Sequence, residues 1–429
     1  MFQRFNEEEL KNQISSSKEK LEQYKLQGLK LDMSRGKPCS NQLDLSVGIF
    51  DVVKPDSCFL TSTGTDVRNY SVPAEFTGLS EMREMFSEII SVEKDLIFIG
   101  GNSSLNLMFN YFSKLFMKGL PDRNIPWNNY EKIKFLCPSP GYDRHFSITE
   151  YFGIEMIPVE MNSDGPDMNV VEELVKNDGD IKGIWCTPVY SNPTGCVYSD
   201  ETIKRLASLK CKSDEFLIFW DMAYVLHNLY GEIIKIPDII SECANYGNEN
   251  RPIIFASMSK VTFAGSGVTC LAASKKNLAS FLETARVSTI GYDKINQMKH
   301  VKYLKDLDNI NLLMGKHADI IRPKFEKVLQ IFEEKLGGLG IAEWTSPRGG
   351  YFISLDVYPH TAKKVHSICR DCGVVLTPAG STFPYGKDPD DKNLRIAPTY
   401  PDIEELDFAC NILCEAVKYA AATEIISNK

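Results

Sequence analysis

Short apolar runs alternate with amphipathic stretches along much of the chain from about residue 78. The apolar runs that predict strands include DLIFIG, IKFLCPSPG, IKGIWCTP and EFLIFWD, while GLSEMREMFSEII and DETIKRLASLK have the spacing of helices. Runs that are apolar throughout are typical of strands covered on both faces, and strands that alternate with helices are typical of a parallel sheet. The pattern therefore predicts an α/β fold with a large, mostly parallel sheet.

The pattern changes after Gly291. A long helical stretch runs from Asp306 to Lys335, and it is followed by the strand-like runs YFISLDV, VVLTP and LRIAP and by a final helix from Asp402. Strands of this kind, mixed with helices but without regular alternation, indicate a separate α+β unit.

Three parts of the chain follow from this change of pattern. We predict a large domain over residues 51–305 and a smaller α+β domain over residues 306–429. Residues 1–50 are predicted to form an N-terminal arm that packs with the smaller domain. The arm begins with a charged, amphipathic stretch, which predicts a helix after an Asn6 cap.

Composition and charge exclude several classes of protein. The chain is 43% hydrophobic and 24% charged, which is ordinary for a globular protein with a large core. A net charge of −9 argues against general binding to nucleic acid or to an anionic membrane surface. No apolar run reaches the roughly 20 residues that a membrane span needs, and the charged N-terminus does not resemble a signal peptide. We therefore expect a cytoplasmic protein.

The cysteines support the same expectation. The chain has 12 of them, scattered and partly inside apolar runs, where cysteine acts as a small hydrophobic residue. Without an export signal we expect reduced thiols. One CxxC pair, Cys369 and Cys372, lacks a second ligand pair, so it is only a weak indication of metal binding or redox activity. No metal site is predicted.

Five polar segments follow predicted strands. They are IGGNSS, PSPGYD, SNPTG, WDMAY and SMSK. In a parallel sheet the ligand binds beyond the carboxyl ends of the strands, so these segments are expected to meet at one edge. The last segment carries Lys260 among small residues, which would let a ligand and the backbone come close to its amine.

The individual side chains allow more than one interpretation. Gly101, Asn102 and Ser103 precede a predicted helix, where backbone N–H groups bind phosphate, although ordinary helix capping gives the same pattern. Tyr142 is either a stacking surface for a planar ligand or a half-buried loop residue. Asn192 lies in a tight turn and fits simple turn chemistry as well.

The WDMAY segment is more specific. Asp221 ends an apolar strand, so its carboxylate needs a partner, and Tyr224 follows three residues later. The alternative for Asp221 is a helix N-cap. A planar aromatic cofactor with a phosphate, a ring nitrogen, a phenolic hydroxyl and an aldehyde would use all these groups together. That cofactor is pyridoxal 5'-phosphate, which forms a Schiff base with a protein lysine, here Lys260, and pairs its ring nitrogen with an acidic residue.

The order of SNPTG, DMAY, SMSK and NLRIAP along nearly the whole chain resembles the fold-type I pyridoxal-phosphate aminotransferases of class I/II. SRGKPCSNQLDLS, SKVTFAGSGV and TPAGSTFPYGKDPDDKNLRIAPTYP more narrowly resemble a MocR-type subgroup that includes aspartate aminotransferases. The resemblance implies a ping-pong transfer of an amino group between an L-amino acid, with aspartate or glutamate expected, and a 2-oxo acid. In that family Lys260 would also act as general base and acid.

The resemblance also implies roles outside the five segments. Arg395 in NLRIAP would hold the substrate α-carboxylate, with a salt bridge between the two domains as the structural alternative. Asn192 and Gly36 would contact substrate, and Tyr70 would reach the cofactor phosphate of the neighbouring subunit in a homodimer with shared active sites. Arg35 and Lys37 flank Gly36 and are either contacts for a side-chain carboxylate or solvated charges.

One position departs from the family. Many relatives have an arginine eight residues after the lysine, where it contacts the phosphate, but this chain has Val268. We therefore expect the phosphate to depend on backbone N–H groups, on Ser257 and Ser266, and on a cation from elsewhere.

Two other functions fit the same residues. A β-lyase or decarboxylase would use the same cofactor site, and product analysis separates these from an aminotransferase. A ligand-sensing transcription regulator would need a DNA-binding domain, and residues 1–30 are too short and the chain too acidic for one.

Overall fold

The computed structural model describes residues 2, 5–71, 73–123, 125–231 and 233–428. The helices are α1 Glu7–Leu26, α2 Ser40–Asp44, α3 Ser80–Ile90, α4 Ser104–Lys118, α5 Asp143–Tyr151, α6 Met168–Asn177, α7 Asp200–Ala207, α8 Ile239–Ala244, α9 Lys275–Ser288, α10 Lys294–Leu304, α11 Leu307–Leu336, α12 Ala362–Asp371 and α13 Ile403–Ser427. The strands are β1 Leu31–Asp32, β2 Ile97–Ile99, β3 Lys134–Ser139, β4 Glu155–Asn162, β5 Gly165–Pro166, β6 Ile181–Cys186, β7 Leu217–Asp221, β8 Pro252–Ser257, β9 Thr269–Ala273, β10 Ala342–Trp344, β11 Ile353–Val357, β12 Val374–Val375 and β13 Asn393–Ile396.

Eight strands form the main sheet in the order β2-β9-β8-β7-β6-β3-β4-β5. The five strands from β8 to β4 in that order run parallel, whereas β2, β9 and β5 are each antiparallel to the strand or strands that they pair with. Every residue of β6 and β7 is buried, as expected for central strands with helices on both faces. The prediction of an α/β fold with a large, mostly parallel sheet is therefore confirmed.

A second group of elements has its own core. Strands β10, β11 and β13 form an antiparallel sheet, and β1 pairs with β12 in parallel. Their apolar side chains pack with those of α1, α11, α12 and α13 in one cluster of buried residues. Among the described residues, no helix is both long and apolar enough to cross a membrane.

The N-terminal helix α1 packs on α13 of this second group. Asn6 caps α1 through a capping box with Glu9, so the predicted cap is confirmed. Ser17 Oγ donates to Glu415 Oε2 over 2.9 Å, and Lys20 Nζ lies 3.1 Å from Glu415 Oε1. These polar contacts fix the arm against the smaller core.

The helix α11 is shared by the two cores. Its 30 residues begin after the N-cap Asp306. Ile310 and Met314 pack in the cluster around the main sheet, whereas Phe325 and Phe332 pack in the second cluster. The division into 1–50, 51–305 and 306–429 stays a prediction, and its last boundary falls next to a helix that belongs to both parts.

Candidate active site

A cavity of about 240 Å³ lies at the carboxyl ends of the parallel strands. Its lining includes eight of the predicted site residues: Asn102, Ser103, Tyr142, Asn192, Asp221, Tyr224, Ser257 and Lys260. The chain brings them together because each follows, or ends, a strand whose carboxyl end reaches the same edge of the sheet. A larger cavity of about 490 Å³, next to α3 and the start of α11, contains none of them.

Lys260 lies just after β8 and is half-buried. Its Nζ is 4.8 Å from the ring centroid of Tyr224 and 5.8 Å from that of Tyr351. Burial lowers the pKa of Lys260, and the nearby carboxylate of Asp221 opposes the change. A lowered pKa increases the fraction of neutral amine, which is the form that attacks a carbonyl carbon.

Asp221 is 3% exposed at the end of β7. Its Oδ2 lies 2.9 Å from Nε2 of His145, and its Oδ1 accepts from the backbone N–H of Ala223 over 3.1 Å. No helix begins in the described residues 222–231, so the N-cap alternative is wrong. The carboxylate is held by these two contacts and lines the cavity.

His145 was not predicted as a site residue. It lies three residues after Tyr142 on α5, and its ring stacks on Trp185 with centroids 4.1 Å apart and planes within 3°. Thr149 accepts from Trp185 Nε1 over 2.8 Å and donates to the backbone oxygen of His145 over 2.8 Å. The one-turn spacing after Tyr142 was a usable signal, because residues three apart share a helix face.

Both tyrosines that line the cavity are buried enough to stay protonated. Burial raises the pKa of Tyr142 and of Tyr224, so each keeps its hydroxyl hydrogen at neutral pH. Each can therefore donate a hydrogen bond to a ligand in the cavity.

The cavity lining also has neutral hydrogen-bonding groups. The helix α4 starts there with Ser103 as N-cap, and no side chain caps its first N–H groups. Ser259, which was not predicted, places its Oγ 2.7 Å from Ser257 Oγ and donates to Asn102 O over 2.9 Å. Among the described residues, no arginine and no lysine except Lys260 lines the cavity. A helix N-terminus and hydroxyls are suitable partners for a phosphate.

Two predicted phosphate contacts lie elsewhere. Ser266 and Gly101 line a neighbouring cavity with Tyr292 and Asn296, and only Asn102 is common to both cavities. Val268 is 1% exposed and packs in the core of the large sheet. Ser266, in the short helical turn Ala264–Ser266, therefore lines the adjoining cavity, and its contact with the phosphate stays a prediction.

Arg395 approaches the cavity from β13, which belongs to the smaller core. It is 7% exposed. Its Nη1 donates to Asp143 Oδ1 over 2.9 Å and to Asn192 Oδ1 over 3.4 Å, and its Nη2 donates to Thr377 Oγ1 over 3.1 Å. The salt bridge to Asp143 joins β13 of the smaller core to α5, which packs on the main sheet. It is therefore the salt bridge between the two parts that is the structural alternative to a substrate contact for Arg395. The contact with Asn192 also places the guanidinium beside the cavity lining.

The ring of Phe352 covers the guanidinium of Arg395, with Cζ of the arginine 4.8 Å from the ring centroid. Gly36 lies against the same ring, since a Cβ at this glycine would be 2.4 Å from Cζ of Phe352. Lys37 Nζ lies 3.6 Å from Asp32 Oδ2, and its charge is thus already balanced. Gly36 is therefore close to Arg395, with one aromatic ring between them.

Tyr70 and the cysteine pair lie apart from the cavity. Tyr70 is 75% exposed and is not among the lining residues. Cys369 and Cys372 are buried free thiols in the smaller core. Within the described part of the chain, no three His, Cys, Asp or Glu side chains form a group that could hold a metal ion.

Comparison with known proteins agrees with this geometry. A family model described as aspartate amino-transferase matches residues 5–429. An aspartate aminotransferase from Corynebacterium glutamicum is 43% identical over 405 residues, which are 94% of this chain and 93% of that one. The crystal structure of an aspartate transaminase from Corynebacterium glutamicum is 42% identical, with a TM-score of 0.95 and coverage of 99% of both chains.

A more distant structure shows the extent of the shared fold. LysN, an α-aminoadipate aminotransferase from Thermus thermophilus solved with N-(5'-phosphopyridoxyl)-L-leucine, has a TM-score of 0.73 at 18% identity over 95% of this chain and 96% of that one. The fold is thus that of the fold-type I pyridoxal-phosphate-dependent transaminases. The chain belongs to the aspartate aminotransferase family. It is an aminotransferase that uses pyridoxal phosphate and acts on amino acids and 2-oxo acids.

The residues of the cavity fit this cofactor. A buried carboxylate, Asp221, and a lysine of lowered pKa line the cavity, together with a helix N-terminus and two serine residues. A protonated ring nitrogen, an aldehyde and a phosphate require partners of these three kinds.

Proposed function

We propose that this cavity is the site of transamination, with aspartate or glutamate as amino donor and a 2-oxo acid as acceptor. The observation that carries the proposal is the convergence of Lys260 and Asp221 from the main sheet with Arg395 from the smaller core. The name of the relative that is 43% identical supports a dicarboxylic substrate.

The chain offers a partner for each part of the cofactor. Lys260 would carry it covalently, Asp221 would pair with the ring nitrogen, and Tyr142 would cover a ring face. Asn192 and Tyr224 would bind the ring hydroxyl, and the start of α4 with Ser257 and Ser259 would hold the phosphate. When bound, pyridoxal phosphate supplies an aldehyde that accepts the amino group and a ring that withdraws electrons from the substrate α-carbon.

The protein's own groups do the remaining work. The amine of Lys260 would move the proton between the substrate α-carbon and carbon C4′ of the cofactor, a role for which a lowered pKa is suited. The rings of Tyr224 and Tyr351 flank this amine and limit the positions that it can take. His145 keeps the carboxylate of Asp221 in one orientation.

Arg395 would bind the α-carboxylate of the substrate. Its planar guanidinium can offer two parallel N–H groups to a carboxylate, which lysine cannot do. A dicarboxylic substrate has a second carboxylate on its side chain. Our candidate for binding it is Arg35, which is exposed next to Gly36. Lys37 is less suitable because Asp32 already balances its charge.

A half-reaction assay tests the substrate. The absorbance of the bound cofactor is followed after the enzyme is mixed with aspartate, glutamate, alanine or phenylalanine, and the 2-oxo acid product is identified. We expect the two dicarboxylates to react fastest. If alanine or phenylalanine reacts faster than both, the substrate assignment is wrong, whereas release of CO₂ from aspartate with formation of alanine would indicate a decarboxylase.

We further propose that the enzyme is a homodimer with shared active sites, because Tyr70 is exposed and outside its own cavity. The test mixes Lys260→Ala subunits with Tyr70→Phe subunits and lets them exchange. If Tyr70 serves the partner, one site in each hybrid has the natural residue at both positions, and activity exceeds that of both parents. No gain in the hybrid would show that both residues act within one chain.

We also propose a cytoplasmic location. All 12 cysteines are free thiols, and a compartment that keeps thiols reduced is compatible with them. Fractionation of the native cells, followed by detection of the protein in each fraction, tests this proposal; recovery in an oxidising compartment would contradict it.

A further inference from the structure

The charge of Arg395 is balanced by a carboxylate of the protein itself. Asp143 Oδ1 lies 2.9 Å from Arg395 Nη1. A buried guanidinium without a counter-charge is strongly destabilising, because the lost hydration is not replaced. Asp143 therefore stabilises Arg395 in the position where the substrate carboxylate would bind.

The two partners of this salt bridge differ in exposure. The side chain of Arg395 is 8% exposed, whereas that of Asp143 is 30% exposed. Arg395 is also held by Thr377 through two of its nitrogens and by Asn192 through the third. Among the described residues, the carboxylate of Asp143 has one hydrogen-bond and ion-pair partner, which is Arg395. Asp143 is thus the partner that can turn towards water while the guanidinium stays in place.

We propose that Asp143 is a displaceable counter-ion of Arg395 and thereby sets the affinity for every carboxylate substrate. The α-carboxylate and Asp143 compete for Nη1 of the same guanidinium, so each substrate must replace an existing ion pair. The inference rests on the proposed role of Arg395 and adds a residue that weakens substrate binding while it stabilises the site.

The test measures binding of carboxylates that cannot react. Succinate and butyrate are titrated calorimetrically into the cofactor-loaded enzyme at fixed pH and ionic strength. For Asp143→Asn we expect the Kd of both to fall by at least about tenfold, equivalent to about 1.4 kcal/mol. Asp143→Ser, which also suits a helix start, should give the same direction. The kcat with saturating amino acid should change much less than the Kd.

A second measurement uses thermal unfolding. Without ligand, Asp143→Asn should have a lower Tm than the natural protein, because Arg395 has lost its counter-charge. Succinate should raise the Tm of the variant more than that of the natural protein, since it supplies the missing carboxylate. Asp407→Asn is the matched control, because it removes the 2.7 Å ion pair with Lys327 outside the cavity and should leave the Kd unchanged.

Arg395→Gln separates this inference from the proposed function. If Arg395→Gln does not weaken succinate and butyrate, the assignment of the α-carboxylate site is wrong. If it does weaken them but the Asp143 variants bind equally or less tightly than the natural protein, Arg395 keeps its role and the counter-ion inference is overturned. The double variant Asp143→Asn/Arg395→Gln should bind succinate and butyrate no more tightly than Arg395→Gln does. If Asp143→Asn increases the affinity equally in both backgrounds, the counter-ion inference is also overturned.

Discussion

We call the Lys260 cavity the cofactor end of the proposed site and the salt bridge between Arg395 and Asp143 beside it the substrate end; the two ends hold their carboxylates in different ways. At the cofactor end, Asp221 and His145 have side chains 4% and 3% exposed, and the histidine is stacked on Trp185. At the substrate end, Asp143 is 30% exposed and bonds to a single guanidinium. The helix α5 supplies one residue to each contact, since Asp143 is its first residue and His145 lies two residues later. One short helix thus takes part in a fully buried contact and in a partly exposed one.

The difference follows from what each end has to do. In the proposed site the cofactor would stay bound through many turnovers, so a locked Asp221 would cost nothing in rate and would keep the partner of the ring nitrogen oriented. The substrate carboxylate arrives and leaves in every half-reaction. A contact between α5 of the main-sheet core and β13 of the smaller core can break without disturbing the contacts of Asp221.

The largest expected effect is at the cofactor end. Lys260→Ala should lower kcat by at least about 10⁴-fold, because general acid–base catalysis alone contributes about 10² to 10⁴-fold and the covalent attachment is lost as well. The cofactor should still bind. Borohydride reduction and peptide mapping of the natural enzyme should label the peptide that contains Lys260, with Lys327→Ala as the control; a label on another lysine would contradict the assignment.

At the substrate end we expect a smaller loss of a different kind. Arg395→Gln should lower kcat/KM by about two to four decades, since losing one buried, charge-assisted contact costs about 2–5 kcal/mol. The loss should be similar for aspartate and alanine, because both have an α-carboxylate. Borohydride labelling of Lys260 should be unchanged, and a loss of cofactor from this variant would show that the two ends are not separable.

His145→Phe sharpens the comparison, because it keeps a ring against Trp185 and removes the bond to Asp221. A hydrogen bond to a charged group contributes about 1.5–3 kcal/mol, so the affinity for the cofactor should fall by about ten- to a hundredfold. Equilibrium dialysis against pyridoxal phosphate measures it. His366→Phe on α12, outside the cavity, should have no effect, and an unchanged affinity in His145→Phe would mean that Asp221 is held by Ala223 alone.

The smallest effect is expected from Gly36→Ala. The new methyl group would press on Phe352, and overpacking of this kind costs about 1–3 kcal/mol. We expect KM for amino acids to rise several-fold with little change in kcat, because Phe352 covers Arg395 and not Lys260. Gly315→Ala on α11, where a Cβ meets nothing within 4 Å, is the control. A change in kcat alone would contradict this explanation.

The cofactor end was largely predictable from the sequence. Asp221, Tyr224, Asn192 and Lys260 each follow or end an apolar run, and the strands of a parallel sheet bring such positions to one edge whatever the details of packing. The fold class followed from the same alternation. Family resemblance then supplied the chemistry, which position alone does not give.

The substrate end was not predictable to the same extent. Asp143 and Arg395 are 252 residues apart, and they meet only because two cores pack against each other. Phe352 reaches Arg395 in the same way. For Ser266, in the short turn Ala264–Ser266, the spacing of small residues does not predict which of two adjoining cavities the residue lines.

The shared helix α11 has a consequence for any attempt to divide the protein. A helix of 30 residues is about 45 Å long at 1.5 Å per residue, long enough to run through both cores. A fragment that starts at residue 306 would carry Ile310 and Met314 as exposed apolar side chains, and a fragment that ends there would leave a matching gap beside α3 and α10. Separately expressed halves should therefore aggregate or remain unfolded alone, and co-expression should be needed to recover both as one particle.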